Sequence, residues 1–189
     1  GPKYASVTEL SNGEVRLHSV AAIPVAMSTQ RTFMEALRSL PNQTMWADLS
    51  VDQDEEWVTA GLINGTLILV HDESYNEELD PHRCSAAYIV MCKRTKNRLQ
   101  GTVVDKCENA SNYRAELLGA LCCLLVVKAA CESGADRGTC KAYCDNKGVV
   151  LHCTRCKRHD KLKQSQSQDD LVRLCKELLR DMEINIKYR

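Results

Sequence analysis

The sequence predicts an α/β fold: a mixed five-stranded sheet, three antiparallel strands followed by two parallel ones, flanked by helices and preceded by a helical N-terminal extension. Three observations carry this reading. From Thr66 onward, short apolar runs bounded by polar turns replace the irregular pattern before it. The second and third runs are separated only by the basic turn 93–98, which makes them a hairpin. The last two runs are separated by helical segments, as parallel neighbours require.

Residues 1–65 read as the extension, mostly helical or loop, with no strong strand series. Within it, residues 32–40 space Phe33, Leu37 and Leu40 on one helical face, and Pro41 closes the helix. Residues 52–63 form a second helix with acidic side chains in its first turn, then Trp57, Val58 and Leu62, and Asn64-Gly65 at its end. Trp46 and Trp57 read as packing residues. The main domain occupies residues 66–189. Its strands fall at 66–70, 84–93 and 99–107, followed by a long helix at 111–132. Ser111 or Asn112 can cap that helix, and Gly134 suits its C′ position. A strand at 139–144 leads into a helix at 146–156 and a polar segment at 157–168. The helix 169–182 carries the stripe Leu171, Leu174, Cys175, Leu178 and Leu179, and a strand at 183–188 ends the series.

With 44% hydrophobic and 26% charged residues, the composition suits a folded globular domain and argues against wholesale disorder. No apolar run approaches the roughly 20 residues a membrane span needs, and no basic-then-apolar leader opens the chain. The expectation is a soluble, intracellular protein, cytoplasmic or nuclear. Eleven cysteines, an odd count set mostly inside apolar segments, point to free thiols in a reducing compartment. The formal net charge of zero makes no global case for nucleic acid. The distribution is uneven, however: residues 1–66 carry four basic and eight acidic side chains, residues 67–189 carry 21 and 17. Positive charge is densest at Arg155, Lys157, Arg158, Lys161 and Lys163, either a solvated connector or a grip for a duplex backbone. Aromatic residues, at 5%, are too sparse to support stacking on single-stranded bases.

The candidate chemistry lies in three acids at element ends: Asp72 after Leu-Ile-Leu-Val-His, Glu116 just over one turn into the long helix, and Asp145 after Lys-Ala-Tyr-Cys. Singly, each is a common cap or turn former. Gathered at one sheet end they would repel one another and lose hydration, a conflict that Mg²⁺ or Mn²⁺ would remove through oxygen ligation. A separate group, His152-Cys153-x-x-Cys156-x-x-His159, has zinc-compatible residue types but no second Cys-x-x-Cys to complete it.

Asp-Glu-Ser after an apolar strand, Ser-Asn-Tyr-Arg-Ala-Glu-Leu opening a helix and Tyr-Cys-Asp-Asn closing a strand together resemble the type 1 ribonuclease H domain, in the version found within retroelement reverse transcriptases. The resemblance covers residues 66–189. It implies a ribonuclease H-like fold and cleavage of the RNA strand of an RNA/DNA hybrid by two metal ions. Asp72 would bridge the ions while Glu116 and Asp145 complete the cage. Asn112 matches a minor-groove reader in that family, and Arg155, Lys157 and Arg158 would grip the duplex backbone. Two departures accompany it. Glu73 stands where the family has glycine after the first aspartate. The family's histidine and fourth carboxylate are expected beyond the last strand and do not occur before Arg189, so the resemblance implies a domain truncated at its C-terminal end. A catalytically inactive domain of the same fold, serving to bind nucleic acid or a partner, is the alternative. A transposase or integrase of the same broad fold is a further one.

Overall fold

The computed structural model describes residues 5–9, 15–19, 31–40, 43–154 and 168–189. They fall in two compact units, Gly1–Gln30 and Arg31–Arg189. In the first, β1 (Ala5–Glu9) and β2 (Val15–Ser19) pair antiparallel, Ala5 opposite Ser19 and Glu9 opposite Val15. The reading of residues 1–65 as mostly helical or loop did not include this hairpin; the alternation of apolar and polar residues in Val15-Arg16-Leu17-His18 is its signal in the sequence.

The second unit runs α1 (Phe33–Ser39), a 3-10 turn (Gln43–Trp46), β3 (Ser50–Val51), α2 (Glu56–Ile63), β4 (Leu67–Tyr75), β5 (Arg83–Cys92), β6 (Arg98–Lys106), α3 (Asn112–Glu132), β7 (Gly138–Tyr143), α4 (Lys147–Thr154), α5 (Asp169–Asp181) and β8 (Ile184–Tyr188). The sheet order is β3-β6-β5-β4-β7-β8, with β4–β7 and β7–β8 parallel and the other pairs antiparallel. Leaving aside the edge strand β3, this is the ribonuclease H-like arrangement. Among the described residues the sheet therefore has six strands rather than five. The extra one is only two residues long, Ser50 opposite Gln100 and Val51 opposite Leu99, too short for any periodicity to register.

Residues 31–65 share one core with the sheet. Phe33, Leu37, Trp46, Trp57, Val58 and Leu62 are buried with Leu67, Leu69, Tyr88, Val90 and Leu99. Tyr88, wholly buried in β5, donates its hydroxyl to Met45 O at 2.8 Å and meets the Trp46 ring edge-on at 5.9 Å. Asp48 accepts the backbone N–H of Thr102. Asp52 bonds Arg98 twice, its N–H donating to the carbonyl and its carboxylate accepting the N–H. That commitment to β6 is why α2 begins at Glu56 rather than Asp52.

The capping expectations are met where they can be seen. Thr32 closes a capping box with Glu35, Ser111 Oγ accepts the N–H of Arg114 at 3.1 Å, and Gly134 follows α3 with φ 118°. α3 is buried from Arg114 to Val127 and lies against β4 and β5. It approaches so closely that a Cβ on Gly119 would come within 2.8 Å of His71 Cβ.

Arg114 ties three elements together. Its Nε donates to Asp105 of β6 at 2.6 Å, and its terminal nitrogens reach both Asp170 oxygens at 3.0 Å and Gln168 Oε1 at 2.9 Å. Gln168 in turn donates to Asn109 O. The paired Arg114 guanidinium holds the Asp170 carboxyl below its ordinary 3.8. A depressed carboxylate contributes stability above its unfolded pKa and loses it as pH falls through the folded value, so this link should weaken only in acid stronger than pH 3.8. Arg114→Met leaves Asp105 and Gln168 facing a buried methylene chain. We expect a loss of about 3 kcal/mol in urea unfolding at pH 7.

Candidate functional site

The strand pleat decides which side chains meet. In the parallel ladder of β4 and β7 the last partners are Val70 and Tyr143. Counting on in that register, His71 corresponds to Cys144 and Asp72 to Asp145. His71 is buried and Cys144 half-buried, and both touch Glu116, whereas Asp72 and Asp145 are exposed. Contrary to expectation, Asp72 does not end its strand. β4 continues to Tyr75, held by β5 through Asp72 opposite Ala87 and Tyr75 opposite Cys84. What ends near Asp72 is the pairing with β7, and the site sits in the gap that opens there.

Glu116 is 1% exposed. Its Oε2 lies 2.9 Å from His71 Nδ1 and 3.4 Å from Cys144 Sγ. The imidazole is within ion-pair range of that oxygen through Nδ1, and Nε2 has no partner among the described residues. One oxygen each of Asp72, Glu73 and Glu116 lie within 4.8 Å of one another. Two of the three predicted acids are thus brought together, with Glu73 as a third member. Asp145 stands near enough for its charge to act on Glu73. Asn112 is exposed in the first turn of α3, one turn before Glu116. Arg155, Lys157 and Arg158 lie outside the described residues, as do Cys156, His159 and the side chain of His152.

The electrostatics are those of crowded carboxylates. A hydrogen bond with Glu116, then burial and the charges of Glu116 and Asp145, push Glu73 up to about 7. Burial opposes ionisation of Glu116, but hydrogen bonds with His71 and Glu73 outweigh it and hold its carboxyl low. Of the two, Glu73 is the one pushed toward the protonated form and Glu116 the one held toward the charged form. Cys144 is pushed up to about 12 by burial and by the neighbouring acids. Glu73 Oε2 and Glu116 Oε1 are buried and accept no hydrogen bond among the described residues. Hard carboxylate oxygens crowded within 4.8 Å of one another, two of them without a hydrogen bond, are a donor set a small divalent cation satisfies, so the residues fit such an ion.

His71, Glu73 and Cys144 were not singled out as site residues in the sequence. Their signal was available: His71 and Glu73 extend the inward-facing alternation of Leu67 and Leu69.

No family model and no curated protein matches the chain. Among solved structures it is similar to RNase H1 from the halophilic archaeon Halobacterium salinarum NRC-1, with 14% identity, TM-score 0.41, and coverage of 65% of this chain and 84% of that one. It is similar to the prototype foamy virus protease–reverse transcriptase at 14% identity and TM-score 0.47, over 66% of this chain and 17% of that one. It is also similar to the PFV RNase H domain at 11% identity and TM-score 0.44, over 69% and 81%.

Because Glu73 is raised above its ordinary 4.5, the strain it brings is absent below that pH and grows as pH rises through about 7. In chelator, Glu73→Gln should therefore melt above the parent chain at pH 8 and level with it at pH 4.5. Equal melting temperatures at pH 8 would show that the carboxylates do not share a proton.

Proposed function

We propose that residues 66–189 carry a divalent-metal-dependent hydrolase site of ribonuclease H type, acting on the RNA strand of RNA/DNA hybrids. Residues 31–65 would brace it through their shared core. The observation that supports this most is the convergence of Asp72, Glu73 and Glu116, with Asp145 alongside, where β4 and β7 part in a sheet of ribonuclease H-like order.

On this reading Asp72, Glu116 and Asp145 hold Mg²⁺ or Mn²⁺. When bound, the ions would lower the pKa of the attacking water and offset charge on the leaving oxygen. Asp72 and Asp145, both exposed, present their carboxylates to solvent and to an arriving phosphodiester. Glu116, anchored on a buried helix, keeps its carboxylate in place. Asn112, one turn away, can offer its amide to the minor-groove edge of the hybrid, where a 2′-hydroxyl distinguishes RNA from DNA. Arg155, Lys157 and Arg158 would neutralise backbone phosphates and make binding fall with salt. The rival reading, an inactive domain of this fold that still binds nucleic acid, draws support from Glu73, whose carboxyl crowds the Asp72 and Glu116 oxygens that metal would need.

A labelled RNA/DNA hybrid with Mg²⁺ or Mn²⁺ separates the two. Hydrolysis is expected with the parent chain and should fall at least about 100-fold in Asp72→Asn and Asp145→Asn. Cleavage that survives both substitutions overturns the site. Hybrid binding without cleavage, by the parent chain and by Glu73→Gly alike, favours the inactive reading.

A further inference from the structure

We propose that His71, Glu116 and Cys144 form a distinct site for a thiophilic divalent ion, Zn²⁺ by preference, on the inward side of the same strand ends. The site does not depend on the hydrolase reading. It draws on the other face of the pleat and on different donor chemistry, with Glu116 the only shared residue.

The three donors come from β4, from α3 and from the residue after β7, so they are held by the sheet and its covering helix rather than by one flexible loop. Their ligand atoms all lie within 4.8 Å of one another. Around a tetrahedral zinc, nitrogen and oxygen ligands stand about 3.4 Å apart and sulfur and oxygen about 3.6 Å. The separations here are 2.9 Å from His71 Nδ1 to Glu116 Oε2 and 3.4 Å from Cys144 Sγ to the same oxygen. Drawing an ion in requires the His71–Glu116 pair to part by about half an ångström and Cys144 to shift by less from Glu116.

Beyond the His71 Nδ1–Glu116 Oε2 pair, polar atoms here are left over. Among the described residues, neither Nε2 of His71 nor Oε1 of Glu116 makes a hydrogen bond, although His71 is 6% exposed and Glu116 1%. Buried polar atoms are rarely left so, and a ligated ion is one of the few things that would satisfy several at once. Imidazole, carboxylate and thiolate also select against the ions suggested for the outer acids. Mg²⁺ favours six oxygen ligands, whereas sulfur and imidazole favour Zn²⁺ and Co²⁺. Three protein ligands leave a fourth position that the partly exposed Cys144 side opens to water. Binding breaks the Cys144 S–H bond and forms a metal–sulfur bond; the proton passes to solvent and no oxidation state changes.

Co²⁺, which reports sulfur ligation by its thiolate-to-metal charge-transfer absorption, is the probe. Titrated into the reduced full chain, it should give one near-ultraviolet charge-transfer band that excess Mg²⁺ leaves intact and stoichiometric Zn²⁺ removes. Cys144→Ser should abolish the band. His71→Asn should weaken affinity by more than the 10- to 100-fold that losing an outer-shell partner costs. Cys156→Ser should retain the band, which separates this site from the Cys153/Cys156 pair. Asp145→Asn should retain it too, so the outcome is independent of whether the hydrolase reading holds. An undiminished band in Cys144→Ser, with the variant folded by circular dichroism, overturns the proposal, as does the absence of any band in the parent chain.

Discussion

Everything at this site follows from a carboxylate buried on an apolar helix. Glu116 sits in a run of α3 that is otherwise aliphatic or thiol-bearing, and an ion there has no water to solvate it. It is tolerable only because β4 delivers His71 and Glu73 to the same spot and the end of β7 delivers Cys144. Gly119, one turn along, lets the helix sink onto β4 far enough for these groups to meet. A side chain at that position would hold α3 away from the strand and leave Glu116 without the neighbours that keep it ionised.

The Arg114 clamp secures the same arrangement from the other end. Its guanidinium draws β6 and the start of α5 onto the first turn of α3, fixing the helix along its axis as Gly119 fixes its distance from the sheet. Arg114 and Glu116 are two residues apart and face different neighbours. The Tyr-Arg-Ala-Glu-Leu segment is thus a structural anchor and a chemical group in immediate succession, which accounts for its usefulness as a sequence marker.

The succession of antiparallel strands followed by helix-linked parallel ones, and a cap for α3 at Ser111 or Asn112, were legible in the sequence because each rests on local periodicity or on a motif. What was not legible depended on pairing. β3 has two residues and exists only because Asp48 and Asp52 bind β6. The extension of β4 past Asp72 depends on β5, fifteen residues downstream at Ala87. Glu73, noted in the sequence only as a departure from the family's glycine, stands within 4.8 Å of the Asp72 and Glu116 oxygens. Strand runs announce their presence in sequence more readily than they announce where one neighbour lets go and another holds on.

That divergence of β4 from β7 has a consequence of its own. Two successive rungs beyond the last shared one hold His71 with Cys144 and then Asp72 with Asp145, so the inward rung is rich in nitrogen and sulfur and the outward rung is all oxygen. Alternation in a strand has period two. Deleting a single residue in β7 would shift the rungs by one, sending the thiol to solvent and Asp145 in against Glu116. The chemical identity of this sheet end is written in phase as much as in composition.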